Sequence, residues 1–297
     1  MNKIKFLFGI MRVPFLILTP ACVLLGVGAA LWTNSQVNWF HFSLLLVAAI
    51  CAHISVNAFN EYFDFKSGLD SMTQRTPFSG GSGTLQQRPQ EARLALLVAW
   101  AAFLFTAFTG FYFGMVQGWS ILLLGVTGLF LLIAYTPWLA RNPWLCLVAP
   151  GLGFGPVMVI SIAFALTGKY SGTAVAASLI PFFLVSDLLL LNQFPDVEAD
   201  RRVGRRHIPI LLGRRTASLV YNLFLLAAYL TIIFGVVFGL LPRISLLGLL
   251  SAILAIPAGI KAFRHANDMQ GLAPALGMNV LVNLLTPVLV GIGLLIR

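Results

Sequence analysis

The chain has 297 residues, 59% of them hydrophobic and only 9% charged, with a mean hydropathy of +0.92. Soluble domains carry roughly a quarter charged residues, so a soluble fold is excluded. Lys and Arg number 19 against 9 Asp and Glu, a net charge of +10 that would suit a nucleic-acid partner, but the distribution of these charges among the loops removes the need for one.

Apolar runs of about 20 residues, enough to cross roughly 30 Å of hydrocarbon, are read at 14–33, 38–59, 94–116, 118–138, 144–166, 174–194, 217–241, 243–262 and 275–296. Backbone groups in lipid must be satisfied within the segment or in a closed barrel, and these runs are about twice the length of barrel strands and lack period-two alternation. The expectation is an all-α integral membrane protein, a bundle of nine transmembrane helices around a central cavity, forming one domain over residues 1–297. Lys3, Lys5, the apolar stretch behind them and the small residues Ala29 and Ala30 have the outline of a signal peptide. With no soluble domain following, the segment reads as a retained first helix. Pro20, Pro150, Pro156, Pro181, Pro257 and Pro287 lie inside runs and predict kinks. Cys22, Cys51 and Cys146 stand apart, without the spacing of a disulfide or zinc site.

With the N-terminus cytosolic and the C-terminus outside, nearly all Lys and Arg fall on the cytosolic side, and only Lys169, Arg243 and Arg297 fall beyond it. That is the asymmetry of the positive-inside rule, and it points to a bacterial or archaeal cytoplasmic membrane. Two cytosolic loops, about 60–93 and about 195–216, exceed what a bundle connection needs. Each begins at an acidic cluster: Glu61 and Asp64 followed by Asp70, and Asp196, Glu198 and Asp200. Of the nine carboxylates only Asp187 lies inside a span, where an acid is a functional candidate or a hydrogen-bonding partner of a neighbouring helix. His53 has the same two readings.

The second and sixth spans run in the same direction and deliver both clusters to one face, an arrangement that suggests a diverged internal duplication. His53, Asn57, Asn60 and Asp64 are spaced by four, three and four residues and share one helical face; Asn192, Asp196 and Asp200 form a second polar stripe. Carboxylate and amide oxygens facing each other suit a hard divalent cation, and Mg²⁺ commonly takes one or two carboxylates together with substrate phosphates. Lys66, Arg75 and the run Arg201-Arg202-Val-Gly-Arg205-Arg206-His207 supply cations for the same phosphates. Ser79-Gly-Gly-Ser-Gly83-Thr84 is a flexible run that suits either a phosphate cover or a plain linker, since the P-loop lysine is missing. Arg214, Arg215 and Arg264 are read as lipid-facing charges, Trp138 and Trp144 as interfacial belt residues, and His265, Asn267 and Asp268 as solvated surface.

Asn60-x-x-x-Asp64 together with Asn192-x-x-x-Asp196-x-x-x-Asp200, and the segment from Asp200 to Gly213, resemble the UbiA superfamily of intramembrane prenyltransferases. The likeness covers nearly the whole chain. It implies transfer of an isoprenoid from an allylic prenyl diphosphate to an acceptor, usually aromatic, with Mg²⁺ as cofactor and no nucleic acid involved. By the same resemblance Asn60, Asp64, Asn192, Asp196 and Asp200 would be metal-linked, and Asn57, Lys66, Arg75, Arg141, Arg201 and Arg205 would hold the substrate. Tyr135 would steady an allylic cation through its ring, or serve as a belt aromatic. The first motif departs from the common pattern, with Glu61 after the Asn, Gly68 where a further acid is common, and Asp70 beyond it. That form is similar to the dihydroxynaphthoate branch of menaquinone biosynthesis. Asp70 is then a further metal-linked acid or the base that helps deprotonate the acceptor. Other acceptors of the family are hydroxybenzoate, haem, chlorophyllide, homogentisate and glycerol lipids. Outside the family, a cation-coupled transporter would need acids near the midplane, and a scaffold would bind isoprenoid without chemistry.

Overall fold

The computed structural model describes residues 3–33, 36–73 and 79–296, with Asp70 described in backbone only, and these residues form helices and connecting turns without a strand. Helix α1 (Lys3–Ile10) lies ahead of the first span, which joins a 3₁₀ segment (Val13–Ile17) to α2 (Leu18–Thr33). Then follow α3 (Trp39–Ser67), two short helices α4 (Leu69–Met72) and α5 (Thr84–Gln87), α6 (Ala92–Gln117) and α7 (Leu122–Ala134). Helix α8 (Pro143–Leu152) passes through a π-helical stretch (Gly153–Ile160) into α9 (Ser161–Thr167). The second half comprises α10 (Gly172–Asn192), α11 (Val197–Arg202), α12 (Ile208–Leu212), α13 (Arg214–Val237), a 3₁₀ stretch (Arg243–Ser251) leading into α14 (Ala252–Arg264), and α15 (Met269–Leu295).

Among the described residues eight helical segments are long and apolar enough to cross a membrane, one fewer than the nine expected. The difference lies at 118–138. There the apolar helix covers only Trp119–Ala134, because Gly118 breaks the chain at φ 112° and Pro137 disfavours helix in the residue before it. The loop limits shift as well. Helix α3 runs on to Ser67, ending where Gly68 takes φ 74°, so the first acidic motif sits on the helix and the connection starts after it.

Asn38, Asn142, Ser171 and Asp268 cap α3, α8, α10 and α15, each accepting from backbone N–H groups of the first turn. These caps satisfy donors a helix start leaves open. Prolines 150 and 156 remove N–H donors, and the π-helical stretch falls around the second of them. A π-turn of this kind is an expected response to a broken ladder.

Small residues set the spacing between spans, as membrane helices require. A Cβ on Gly151 or Gly155 would stand 2.0 Å from Phe182 O or 2.4 Å from Ser178 O, so α8 and its π extension press directly on α10. Gly28 and Gly291 do the same between α2 and α15, against Leu294 and Leu24. Ser55 Oγ donates to Ala99 O and Thr106 Oγ1 to Ala48 O, fixing the antiparallel register of α3 against α6. Asp187 lies wholly buried on α10, and neither of its oxygens has a hydrogen-bond partner among the described residues; the Tyr221 hydroxyl on α13 is likewise unpartnered. Of the two readings of Asp187, the hydrogen bond to a neighbouring helix is therefore not made by the described side chains.

Candidate active site

The polar face of α3 and the end of α10 open into one cavity of about 600 Å³. His53, Asn57, Asn60 and Asp64 line it from α3, Asn192 from α10, and Asp196, Asp200, Arg205 and His207 from the segment that follows. The far part is walled by apolar side chains including Leu45, Ala48, Leu129, Leu132 and Phe154. A charged head above a hydrophobic body is the shape of an amphipathic ligand.

Arg205 joins the two acidic motifs. Its guanidinium donates to Asp64 Oδ1 through Nη2 and lies 3.2 Å from Asp200 Oδ1 through Nη1. Asp200 Oδ2 is 3.0 Å from His207 Nε2. The two carboxylates hold the Arg205 guanidinium protonated, shifting it upward against the cost of burial. Asp196 accepts from the Ser79 hydroxyl and the Gly80 N–H, while its Oδ1 has no partner. Burial, and then the neighbouring Asp200 charge, push its carboxyl up to about 7. Tyr135 lines the cavity and hydrogen-bonds the Cys146 thiol, and burial keeps its hydroxyl neutral well above the ordinary tyrosine range.

The glycine-rich run is tied to both motifs. Ser79, Gly80 and Gly81 line the cavity. Ser82 donates to Glu61 through its N–H (2.9 Å) and its Oγ (2.7 Å). Glu61 is fully buried and also receives Arg12 Nε at 2.7 Å. Arg12, at φ 49° the one non-glycine residue with positive φ among those described, lines the cavity too. Asn57 Nδ2 donates to Met11 O, so the polar face of α3 holds the segment before α2 in place.

The residues expected at a site divide into three groups. Asn57, Asn60, Asp64, Tyr135, Asn192, Asp196, Asp200 and Arg205 are brought together around the cavity. Lys66, Arg141 and Arg201 are exposed and do not line it; Lys66 lies over the Tyr62 ring at 5.9 Å, and Arg201 pairs with Glu198 at 3.7 Å. Arg75 and the Asp70 side chain lie outside the described residues, although Asp70 belongs to α4, directly after Gly68. His53 is near-buried, 2.8 Å from Thr19 Oγ1 and edge-on to Phe154. Sequence reading did not assign Arg12, Cys146 or Gln193 to the site. Gln193 Nε2 donates to Cys146 Sγ, and a two-stripe pattern gives no hint of either.

The donor set suits a hard cation. Asn192 Oδ1 and Asp196 Oδ1 are buried oxygens without partners, and every candidate ligand offers oxygen, the preference of Mg²⁺. Among the described residues, however, no three His, Cys, Asp or Glu side chains stand close enough to form a metal cluster. Several of the cavity's apolar lining residues are also exposed on the outer surface. Phe15 and Ile17 are exposed lining residues near the head, and Phe111 and Val126 are exposed lining residues on α6 and α7.

Eight membrane-length helical segments among the described residues, six of which line a cavity with an acidic and basic head, define an integral membrane protein of the kind that handles a charged, lipid-tailed ligand. Residues 20–295 match the UbiA prenyltransferase family, and the chain belongs to it. It is therefore an intramembrane prenyltransferase. It is similar to the 1,4-dihydroxy-2-naphthoate octaprenyltransferase of Bacillus subtilis (strain 168), 27% identical over 226 residues covering 73% of this chain and 69% of that protein. The fold resembles the apo structure of a UbiA homolog from Aeropyrum pernix K1, with a TM-score of 0.71, 21% identity and coverage of 94% of this chain and 96% of that one. It also resembles a UbiA homolog from Archaeoglobus fulgidus bound to GPP and Mg²⁺, with a TM-score of 0.64, 15% identity and coverage of 98% and 99%.

Proposed function

We propose that this prenyltransferase moves the prenyl chain of an allylic diphosphate onto a dihydroxynaphthoate-like aromatic acceptor in menaquinone biosynthesis, with its head region at the cytosolic face. The reading rests on one juxtaposition: two oxygen-bearing motifs meeting through Arg205 at the head of an otherwise apolar cavity. The naphthoate acceptor is supported by the name of the Bacillus subtilis relative, and the divalent metal by the Mg²⁺ and GPP bound in the Archaeoglobus fulgidus homolog.

Asn60, Asp64, Asn192, Asp196 and Asp200 would hold Mg²⁺, which supplies electrostatic stabilisation of charge developing on the departing diphosphate. Arg205 would pass from the carboxylates to phosphate oxygens, with Asn57 beside it. Arg75 is proposed as a further phosphate ligand. Exposed Lys66, Arg141 and Arg201 would draw the anionic donor toward the head by long-range attraction. As the allylic C–O bond breaks, its electron pair leaves with the diphosphate, and the neutral Tyr135 ring faces the cation left behind. Apolar walls keep water from that cation until the aromatic ring attacks. Asp70 is proposed as the base that helps deprotonate the acceptor.

The test is purified protein in lipid nanodiscs with prenyl diphosphate, 1,4-dihydroxy-2-naphthoate and Mg²⁺, read by mass spectrometry. Prenylated naphthoate from the native protein, with at least a 100-fold loss in Asp64→Asn and Asp196→Asn, is the expected result. Substantial turnover in both variants overturns the roles given to the motifs; product only with another acceptor overturns the naphthoate assignment.

A further inference from the structure

Outside the active-site cavity, α13 and α14 leave a groove of about 630 Å³ between them, and none of its lining residues lines that cavity. On α13 the wall reads Leu219, Asn222, Leu226 and Tyr229, and on α14 Ala252, Ile256 and Ile260. Spacings of three or four residues put each set on one helical face. Carried one step further, the first stripe reaches Arg215, four residues before Leu219, and the second reaches Arg264, four residues after Ile260. Arg264 lines the groove, and Arg215 stacks at 5.0 Å over Phe263, which also lines it. Two stripes on antiparallel helices thus finish in a pair of arginines.

That end of the groove lies at the same membrane face as the acidic head. Arg214 Nε donates at 2.9 Å to Phe194 O, between Asn192 and Asp196. Arg215 and Arg264 are exposed, and among the described residues neither forms an ion pair. Asp268, the acid nearest to Arg264 in sequence, is held by His265 at 3.1 Å. The start of α13 has no side-chain cap, so its open N–H groups and the positive end of the helix dipole add to the attraction for an anion. From Arg264 to Ala252 the groove follows α14 for about 18 Å, at about 1.5 Å per residue. That is close to half of a hydrocarbon core about 30 Å thick, the depth of one leaflet.

We propose that this groove binds one anionic phospholipid of the head-side leaflet, its phosphate between Arg215 and Arg264 and an acyl chain along the stripes of α13 and α14. Charge and length both select that occupant. Basic pockets between membrane helices recognise anionic head groups in this way. A neutral quinone leaves the arginines uncompensated, and a second copy meeting this face by two-fold symmetry sets arginines against arginines. Because Arg214 holds the backbone between Asn192 and Asp196, a lipid that steadies the start of α13 also steadies the second motif, without touching donor or acceptor.

Native mass spectrometry of the purified protein measures retention of phosphatidylglycerol against phosphatidylcholine in the native chain, in an Arg215→Gln, Arg264→Gln double variant, and in an Arg93→Gln, Arg243→Gln control that removes the same charge from other exposed positions. The expected result is at least a fivefold preference for phosphatidylglycerol in the native chain and the control, lost in the groove variant. No preference, the same loss in the control, or displacement of the lipid by inorganic phosphate at equal concentration overturns the proposal. A dimer that the groove variant abolishes gives the face to a second copy and overturns it too. Phosphatidylglycerol should also raise the unfolding midpoint of the native chain and the control but not of the groove variant; an equal rise in all three counts against the site. A further measurement needs no variant: the native chain in phosphatidylcholine nanodiscs is irradiated with a phosphatidylglycerol analogue carrying a diazirine in its acyl chain. Labelling concentrated in 219–229 and 252–260 supports the groove, and labelling spread over the other exposed spans overturns it.

Discussion

Arg205 and Glu61 show how a residue's partner decides its role. Arg205 is nearly enclosed between Asp64 and Asp200. Removing one member of a buried ion pair costs about 3–5 kcal/mol because a charge is left uncompensated. Arg205→Ala should lower the thermal unfolding midpoint and reduce kcat/KM at least 100-fold. Arg205→Lys should recover stability better than activity, since an ammonium cannot reach two carboxylates in a fork; thermal melts in nanodiscs beside turnover assays check both. Glu61 looks in the sequence like a replacement acid of the first motif. In the fold it receives Arg12 and two donors from Ser82, partners that lie 49 and 21 residues away and leave no local trace. Glu61→Gln keeps the shape but weakens the charged contacts, each worth about 1.5–3 kcal/mol. Its expected effect is a several-fold rise in KM for the prenyl diphosphate that exceeds the change in kcat, read from donor titrations.

At the scale of elements, hydrophobic length alone located eight of the expected spans, because lipid demands a continuous apolar helix. The polar stripe of α3 was legible for the same reason, since helical spacing fixes which side chains share a face. The helix ends were less legible. Nothing in a list of acids says that α3 continues to Ser67 until Gly68 takes a left-handed turn, and the run 118–138 reads as a full span although its helix stops at Ala134. Crossings between helices escape a one-dimensional pattern altogether. Gly155 is read only as one more small apolar residue, yet its missing Cβ lets the π stretch touch the backbone of α10 at Ser178 and Phe182. Gly155→Ala places a methyl against rigid backbone, and overpacking of this kind costs about 1–3 kcal/mol. A lowered unfolding midpoint, with motif residues chemically intact, is the expected outcome in a thermal melt.

For the whole molecule, the pairing of two acidic stripes was visible in the sequence, and the fold brings Asp64 and Asp200 onto the same guanidinium. The occupancy of that position has a consequence for metal binding. With Arg205 between the acids and no three-acid cluster among the described residues, Mg²⁺ alone should shift the unfolding midpoint little. Mg²⁺ together with a non-reactive prenyl diphosphate should raise it clearly, by the equivalent of about 2.7 kcal/mol at a hundredfold excess over Kd. A large shift from Mg²⁺ alone would show a preformed ion site instead. Chelation should abolish turnover, and added Mg²⁺ should restore it.

The Arg205 bridge spans 141 residues of sequence, so it links the first half of the chain to the second at the point where the ligand arrives. On the proposed reading, each turnover exchanges one internal counter-ion for an incoming one: the guanidinium releases the acids as the diphosphate brings its own cation. Asp64 and Asp200 then keep a cationic partner before, during and after catalysis. Product departure would be hastened in the same way, because the resting pair re-forms as soon as pyrophosphate lets go.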